Sequence, residues 1–421
     1  METIEIKRIE KPSGNSEAKP FTRSNLEMPE IAWRGLFKDY RELVAETTEA
    51  SDAFHYAAFL QVFGCTLGRR LCVYHAGQQF PNFYTCVVGR SGLTRKDTAA
   101  TRGRVVLDRL HVYPEDNVNP PFKIVRGIRS YEGLLDELAG DGKIRLILLG
   151  ELLSLFAKAG QQSLSNIIPS LTELYDCPDL LNPPVHQDVK PAKAPFLSIM
   201  AGTTQDWLQK ALTEKDIYGG FANRWLYFYG LPKNPMPNPP KIDQDKLNKL
   251  VSKLNHIRDW ATNLHNGEIT ISNEASKLFE TFYNSEFYPR CQQPGLIPAL
   301  IVRIQDFIWK IGLLYAAETE SGTISGDHLE AAIAVGKYLE DSVVQVFASF
   351  GTSSSKVLET KLLDFLKVQG GPLQEREVYR KLNISAGELE RLVTPLLKIG
   401  LVKISYAKAG RGRQVRQYEA I

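Results

Sequence analysis

The segment from Val87 to Thr101, which reads VVGRSGLTRKDTAAT, constrains the fold of this chain more than any other. It follows an aromatic and β-branched run over residues 83–88 that predicts a buried strand, and it leads into a predicted helix over 96–110. Gly89 and Gly92 lie between these elements and are followed by a basic pair and a hydroxyl residue. Glycines allow backbone N–H groups to approach an anion at a helix N-terminus. The order of strand, glycine loop and helix therefore predicts a phosphate-binding loop.

The spacing of this loop departs from the common pattern G-x-x-x-x-G-K-[ST]. Lys96 lies seven residues after Gly89, and Arg95 occupies the place of the glycine that usually precedes the lysine. The alternative interpretation is a glycine-rich turn with an ordinary basic pair. If the loop binds nucleotide phosphates, a Ser/Thr hydroxyl is expected to hold Mg²⁺, here that of Thr98. The residues expected to contact the nucleotide are Gly89, Ser91, Gly92, Arg95, Lys96, Asp97 and Thr98.

Composition indicates an ordinary globular chain of several domains. It has 421 residues, of which 43% are hydrophobic and 24% charged, so a large core can form. No run of about 18 apolar residues is present, and the N-terminus is charged, so we expect neither a membrane span nor a secretory signal. The five scattered cysteines contain no C-x-x-C pair, which predicts a reducing, cytoplasmic setting and no zinc site.

Changes of pattern along the chain predict four regions. Residues 1–30 read as a disordered tail, and 31–235 as a helical segment followed by alternating strands and helices. A proline-rich linker closes this region, and residues 236–350 predict an all-α lid interrupted by one short strand. A small polar break precedes a C-terminal domain at 351–421.

Five apolar strands alternate with helices inside the second region. Buried strands separated by helices predict an α/β fold with a mostly parallel sheet. The predicted strands cover residues 83–88, 122–126, 144–149, 196–200 and 225–229.

The strand over residues 144–149 leads to Glu151. A carboxylate at this place, one crossover beyond a phosphate loop, can hold Mg²⁺ and polarise the attacking water. ATP-hydrolysing enzymes commonly carry an acidic pair here, whereas Gly150 takes the first position in this chain. The alternative is a glutamate that starts a helix and interacts favourably with its dipole.

Two further strand boundaries carry polar candidates. The strand over residues 196–200 leads to Thr203 and Thr204, which are expected to contact the γ-phosphate or the attacking water, or to cap the following helix. Arg224 follows a glycine pair and precedes the strand over residues 225–229. It is a candidate arginine finger toward a neighbouring subunit, or the partner of a carboxylate that anchors the strand.

The motifs GRSGLTRKDTA, GIRSYEGLLDEL, LILLGE, AGTTQDWL and GGFANRWLYFYG, in this order, resemble a family of P-loop ATPases from plasmids, phages and integrated elements. Members are helicase-like or primase-associated replication proteins, and their AAA+-like loop commonly contains R-K-x-T. The resemblance covers roughly residues 33–340. It implies ATP and Mg²⁺ as cofactors, with Lys96 and Thr98 on phosphate and metal and Glu151 in catalysis.

The same resemblance implies roles for further cations. Arg224 and Arg303 would be trans-acting or sensor-type arginines. Ring-shaped helicases carry pore lysines in an insertion before the strand that ends in the sensor, which makes Lys190 and Lys193 candidates for nucleic-acid contact. A solvated loop is the alternative for these two lysines.

Residues 351–421 resemble a winged helix-turn-helix domain, with predicted helices over about 356–369, 374–382 and 386–398 and two strands after them. From residue 356 onward, 13 Lys and Arg stand against 7 Asp and Glu. Winged helices place the third helix in the major groove and the hairpin along the backbone, although some mediate protein contacts. The hairpin cations expected to bind DNA are Lys403, Lys408, Arg411, Arg413 and Arg416.

These features together predict an ATP-driven motor on single- or double-stranded DNA, a replicative helicase or translocase of a mobile element. We expect it to act as a homo-oligomeric ring, such as a hexamer, and other replication proteins are candidate partners. One alternative is a DNA-binding initiator or scaffold whose nucleotide site drives assembly with little turnover. Another is a switch ATPase that loads a second protein onto DNA.

Overall fold

Two compact units make up the chain, Met1–Val343 and Val344–Ile421. The structure, a computed structural model, describes residues 26–110, 122–128, 130–152, 155, 167–182, 190–212, 218–347, 354–382, 384–398, 400–408 and 414–420. Most of the tail predicted over residues 1–30 lies outside these ranges. Within them, no helix combines the length and apolar character that a membrane crossing requires.

The first unit contains strands and helices in alternation over much of its length. Its described strands are β1 (Cys72–Tyr74), β2 (Gln78–Gln79), β3 (Tyr84–Val88), β4 (Phe122–Val125), β5 (Gly140–Asp141), β6 (Ile144–Leu149), β7 (Leu180–Leu181), β8 (Ala192–Lys193), β9 (Phe196–Thr203), β10 (Trp225–Tyr229), β11 (Glu268–Ile271) and β12 (Thr323–Ile324). Its described helices are α1 (Gly35–Val44), α2 (Asp52–Leu67), α3 (Lys96–Leu110), α4 (Tyr131–Leu138), α5 (Ile167–Tyr175), α6 (Gln205–Ala211), α7 (Gln244–Asn263), α8 (Asn273–Phe282), α9 (Tyr288–Cys291), α10 (Leu296–Ile301), α11 (Ile304–Glu318) and α12 (Gly326–Phe347), the last of which crosses the boundary between the units.

The central sheet is parallel and has the order β10-β3-β9-β6-β4, which confirms the predicted mixed α/β fold with a parallel sheet. All five strands end at one edge, called here the C-terminal edge, and begin at the other, the N-terminal edge. The crossover from β3 to β4 runs one way across the sheet, and those from β4 to β6 and β9 return. Because such crossovers are right-handed, α3 lies on one face and α4 and α5 on the other. The chain therefore leaves the neighbouring strands β3 and β9 toward opposite faces, which opens a crevice between their ends.

Helix α2 lies in the core because it is apolar around its whole circumference. Every residue from Ala53 to Leu67 is buried. Its one long polar side chain, Gln61, donates through Nε2 to Phe83 O at 3.2 Å, Thr85 Oγ1 at 2.9 Å and Ile199 O at 3.0 Å. These bonds fix α2 against the two central strands β3 and β9.

A second sheet joins distant parts of the first unit in the order β12-β11-β1-β2. Strand β11, in the segment expected to form an all-α lid, pairs in parallel with β1 and β12. Helix α11 is buried along most of its length, and Lys310 on it donates to Asn82 just before β3. The helical segment up to Val343 thus belongs to the same compact unit as the central sheet.

The second unit has the described helices α13 (Ser354–Gln369), α14 (Glu375–Leu382) and α15 (Ala386–Lys398) and the strands β13 (Leu373–Gln374), β14 (Val402–Lys408) and β15 (Gln414–Ala420). The strands form an antiparallel sheet in the order β13-β15-β14. Ser385 and Glu388 form a capping box at α15, with Ser385 N donating to Glu388 Oε2 at 2.8 Å and Glu388 N donating to Ser385 Oγ at 3.2 Å. Its core consists of Leu362, Leu366, Val378, Leu389, Leu392, Val393, Leu396, Val402 and Tyr418.

Candidate functional site

The loop between β3 and α3, residues 89–95, curls tightly at the C-terminal edge. Thr94 donates to Arg90 O twice, from its amide at 3.3 Å and from Oγ1 at 2.9 Å. A Cβ placed on Gly89 would lie only 2.6 Å from Thr94 Oγ1. The first glycine of the motif is therefore required by the close approach of Thr94, and it lets the backbone turn directly after the buried strand.

Two residues of this β3–α3 loop have left-handed backbone conformations, Gly92 with φ +70° and Arg95 with φ +52°. This conformation costs a residue with a Cβ roughly 1–2 kcal/mol. Arg95 therefore adopts, at a cost, the backbone conformation that the usual glycine would adopt freely. Its Nε donates to Glu49 Oε2 at 2.9 Å, and the other oxygen of Glu49 accepts from Met236 N at 2.7 Å. Arg95, which stands where the motif usually has glycine, thus connects the loop through Glu49 to the proline-rich linker.

Lys96 is the first residue of α3 and points back over the β3–α3 loop. Its Nζ donates to Gly89 O at 2.8 Å. A Cβ built on Gly202 would lie 3.7 Å from Lys96 Cε, so the lysine stem runs beside the end of β9. Burial lowers the pKa of the Lys96 amino group. A cavity of about 160 Å³ opens here, lined among others by Lys96, Asp97, Gly150 and Gly202.

Glu151 and Thr203 come together at the C-terminal edge because of strand register. Leu149 pairs with Ala201 and Val88 with Thr203, so Glu151 lies level with Thr203. The buried Thr203 Oγ1 donates to Glu151 Oε1 at 2.6 Å. Two sequence candidates from different strands thus share one hydrogen bond beside the loop that carries Lys96.

The two candidate threonines have different contacts. Thr204 is the N-cap of α6, and its Oγ1 accepts from Trp207 N at 3.3 Å. This is the capping role that the sequence left open as an alternative. Of the two threonines, Thr203 is the one that donates to Glu151.

Gly150 leaves space where a second acid would lie. A Cβ there would meet no atom within 4 Å, so packing does not require the glycine. No group of three or more His, Cys, Asp or Glu that could hold a metal occurs in the described part of the chain. Mg²⁺ bound with a nucleotide needs only one or two protein oxygens besides phosphates and water. The hydroxyl of Thr98, in the first turn of α3, and the carboxylate of Glu151 are hard oxygen donors that fit this requirement.

Arg224 lies at the N-terminal edge, far from Lys96 in the same chain. It directly precedes Trp225, which pairs with Tyr84 at the start of β3, whereas the β3–α3 loop follows Val88. Five strand residues at 3.3 Å each separate the edges by about 16 Å. Arg224 donates to Gly220 O at 2.7 Å and to Asp176 Oδ2 at 3.2 Å, and its side chain is 9% exposed. It has the carboxylate partner that the anchoring interpretation expected.

Arg303 belongs to the same group of charges, called here the N-edge cluster: Asp176, Arg224, Arg303, Asp306 and Lys310, arranged around Tyr175. Arg303 Nη1 donates to Asp306 Oδ2 at 3.4 Å. Lys310 Nζ donates to Asn82 O at 3.1 Å and Oδ1 at 2.8 Å and lies 4.2 Å from the Tyr175 ring centroid. Burial lowers the pKa of Lys310 to about 8. The structure therefore brings the two candidate arginines together, on the edge opposite Glu151.

Lys190 and Lys193 flank the end of the insertion before β9. Lys190 is exposed, and Lys193 lies on β8, which forms a hairpin with β7. Lys193 Nζ is 3.8 Å from Asp141 Oδ1, with both side chains largely exposed. Residues 183–189, which connect β7 to the segment with these lysines, lie outside the described residues.

The hairpin cations of the second unit are partly paired within the chain. Lys403 Nζ lies 3.1 Å from Glu419 Oε2. Arg416 Nη1 lies 3.5 Å from Glu390 Oε1 and 3.9 Å from Glu375 Oε1. Exposed pairs of this kind contribute little stability, so these cations can exchange one anion for another. Arg411, Arg413 and the side chain of Lys408 lie outside the described residues.

Glu49 and Asp176 are structural partners that the sequence interpretation missed. Each is a single carboxylate in an irregular segment, more than 40 residues from the arginine that it binds. The positive φ of Arg95 was also not predicted. The arginine in place of a motif glycine is the signal that could have indicated it, because a strained residue needs a stabilising partner.

A comparison with solved structures gives a distant likeness. No protein-family model matches the chain, and no curated protein does. A full-length MCM homolog from Methanopyrus kandleri superposes with a TM-score of 0.42 and 13% sequence identity, over 75% of this chain and 60% of that one. This chain thus spans less than two thirds of the MCM homolog. The mobile-element family stays a prediction, and function has to be argued from the residues of this chain.

Proposed function

We propose that the chain binds ATP with Mg²⁺ at the C-terminal edge and hydrolyses it. One observation carries this proposal: the side chain of Lys96 runs beside the end of β9, and there Thr203 donates to Glu151. Parallel α/β sheets bind ligands in a crevice at this edge. A lysine, a carboxylate and a hydroxyl are the groups that phosphoryl transfer to water requires.

Each residue has a role that follows from its position. The bound nucleotide and Mg²⁺ supply the phosphoryl group and neutralise its developing charge. Lys96, now donating to Gly89 O, turns its amino group to the phosphates, and the first amides of α3 face them. Thr98 and Glu151 would supply oxygen ligands to Mg²⁺. Glu151 also orients the attacking water, and Thr203 fixes the orientation of that carboxylate.

We further propose that hydrolysis drives movement on DNA by an oligomeric assembly of copies of this chain. Arg303 lies on the edge opposite Glu151 and its side chain is partly exposed, so it can reach phosphate only at the site of a second copy. Arg224 is buried against Asp176 and anchors its strand instead. The basic hairpin of the second unit and Lys190 supply DNA contacts in this proposal.

The first test is hydrolysis by the purified protein with and without single- and double-stranded DNA. Lys96→Ala should lower turnover by at least about a hundredfold, because the charge it places on the phosphates is lost. Lys277→Ala, at an exposed position on α8, is the matched control and should hydrolyse ATP as the parent does. Equal hydrolysis by Lys96→Ala and the parent would refute the site assignment.

A second candidate function is a DNA-binding scaffold or initiator whose nucleotide site drives assembly with little turnover. The absence of a side chain at Gly150 and the engagement of Glu151 by Thr203 favour this candidate. It predicts ATP-dependent oligomers in sedimentation experiments that persist for hours without release of phosphate. Steady phosphate release stimulated by DNA would exclude it.

A further inference from the structure

A second cavity, of about 380 Å³, lies between helix α4 and the strands β4 and β6. Strand β4 is at the far end of the central sheet, three strand positions from β3, which is about 14 Å. The cavity is also on the face of α4, opposite that of α3. None of the residues assigned to the nucleotide site lines it. It is therefore separate from the site at Lys96.

Cations predominate among the ionisable side chains that line this cavity. Lys123 and Arg145 are direct neighbours across β4 and β6. Both contact Glu137 on α4, Lys123 Nζ at 2.6 Å from Oε1 and Arg145 Nε at 3.5 Å from Oε2. Arg126 also lines the cavity and is exposed. Three cations and one carboxylate give these four side chains a formal charge of +2 at neutral pH.

Arg145 carries its charge in a buried position. Its side chain is only 1% exposed, so its charge has lost most of its hydration. Like charges on directly paired strand residues also repel each other. Arg145 donates to Ile144 O at 2.9 Å, and it shares Glu137 with Lys123. A dianionic group in the cavity would attract both cations and so offset their mutual repulsion.

The backbone beside these side chains also favours an anion. Helix α4, eight residues long, starts with Ser130 as N-cap, whose Oγ accepts from Gly133 N at 3.0 Å. Gly133 lines the cavity, so the positive end of the helix dipole lies at its wall. Gly127, with φ +93°, lets the chain turn past the cavity between Arg126 and α4.

We propose that this cavity binds the phosphate group of a small organic phosphate ester, of about the size of a nucleoside monophosphate. Guanidinium groups bind phosphate through paired hydrogen bonds, and the three cations converge from two strands and the loop after β4. The volume is within the range of small-ligand pockets, and Ile124, Leu134 and Ile147 supply an apolar wall for the organic part. This site is additional to the nucleotide site and does not depend on ATP hydrolysis.

The test uses the full chain with Lys96→Ala as the parent, so that the nucleotide site is disabled. Titration calorimetry with AMP, inorganic phosphate and a short DNA oligonucleotide separates the sources of phosphate. We expect AMP to bind and to raise the melting temperature, and to bind more tightly than inorganic phosphate. Arg126→Glu should weaken AMP binding at least tenfold, and Arg126→Lys less. Because Arg126 is exposed, these variants are expected to fold.

Lys277→Glu is the control with the same change of charge, at an exposed position on α8, and it should bind AMP as the parent does. The proposal is overturned if Arg126→Glu binds AMP as tightly as the parent, or if AMP does not bind. Binding of the oligonucleotide alone, or of inorganic phosphate as tightly as AMP, also overturns the assignment to a small ester. Failure of the ATPase would appear separately, in the hydrolysis assay of the unmodified chain.

Discussion

The two edges of the central sheet use charged residues in opposite ways. At the C-terminal edge, the half-buried Lys96 donates to a loop carbonyl, and Glu151 accepts from a threonine beside a cavity. At the N-terminal edge, Arg224 and Lys310 are nine-tenths or more buried, and each has several acceptors. Both edges are rich in charge, and at the C-terminal edge Lys96 also lines an open cavity beside the β3–α3 loop.

This difference separates ions that hold the fold from ions that can serve a reaction. A buried cation with well-placed acceptors cannot leave them without a large penalty, so Arg224 and Lys310 anchor β10 and α11 to the start of β3. Lys96 can exchange a carbonyl oxygen for a phosphate oxygen at little cost. Changes at Lys96, Glu151 and Thr203 should therefore alter turnover and leave stability nearly unchanged, and changes at Arg224 and Lys310 should do the reverse.

The largest effect is expected for Glu151→Gln, which keeps the shape of the side chain and removes its charge. Turnover should fall by about a thousandfold, because a general base or water-orienting carboxylate contributes about 10²–10⁴ in rate. Steady-state ATP hydrolysis and equilibrium nucleotide binding measure the two consequences, and binding should persist. Glu173→Gln, at an exposed position on α5, should retain full turnover. A loss of less than tenfold in Glu151→Gln would remove the distinction between the edges.

Lys310→Ala should act on stability. The change leaves a cavity and deprives Asn82 O and Oδ1 of their donor, so the free energy of unfolding should fall by about 2–3 kcal/mol. Burial lowers the pKa of Lys310 from 10.5 to about 8, so between these values the unfolded chain binds more protons. The contribution of Lys310 to stability therefore rises with pH over this interval, and the loss in the variant should be larger at pH 9.5 than at pH 7.

Denaturant unfolding at the two pH values measures this difference. Lys277→Ala, at an exposed position, should cost less than about 0.5 kcal/mol at either pH. A loss in Lys310→Ala that shrinks as the pH rises would contradict the assignment of the lowered pKa to this group.

Thr203→Val is expected to have a moderate effect on turnover. It removes the hydroxyl that donates to Glu151 Oε1 at 2.6 Å and keeps the side-chain volume. A hydrogen bond to a charged group contributes about 1.5–3 kcal/mol, so turnover should fall by about ten- to a hundredfold. Thr172→Val, which removes a hydroxyl bonded within α5, serves as the control. Faster hydrolysis in Thr203→Val would show that Thr203 restrains Glu151, as the scaffold candidate requires.

The smallest effect is expected for Arg95→Gly. Glycine adopts φ +52° without strain, while the exposed ion pair with Glu49 is lost, so the two changes nearly cancel. Nucleotide binding should change by less than about fivefold. Arg95→Ala keeps the strain and loses the pair, so its free energy of unfolding should be about 1 kcal/mol lower than that of Arg95→Gly. Denaturant unfolding of the two variants measures this difference. If Arg95→Ala were the more stable of the two, the strain at this position would be disproved.

Local patterns predicted the elements of the central sheet well. The strand expected over residues 144–149 is Ile144–Leu149, and the helix expected over 96–110 is Lys96–Leu110. Both have strong signals, a run that is apolar except for Arg145 and a polar start after a glycine loop.

Pairing between distant segments could not be predicted in this way. Strand β11 has an ordinary alternating sequence, and nothing local indicates that β1 is its neighbour. In the same way, Arg224 carries no sign that Asp176 is its acceptor rather than a phosphate of a second copy. Such choices depend on which segments the whole fold brings together. This is why candidate catalytic residues next to strand ends were easier to place than candidate arginines between elements.

Because Glu49 binds both Arg95 and the amide of Met236, that amide can report on the β3–α3 loop. Met236 N–H donates to the same carboxylate that holds Arg95, so a change in the β3–α3 loop that releases Arg95 also loosens the hydrogen bond of Met236. Hydrogen exchange at this single amide therefore reports the state of Arg95, which lies 141 positions earlier in the chain. Slow exchange that becomes faster on addition of nucleotide would make the linker a natural sensor of ligand binding, observable without any label.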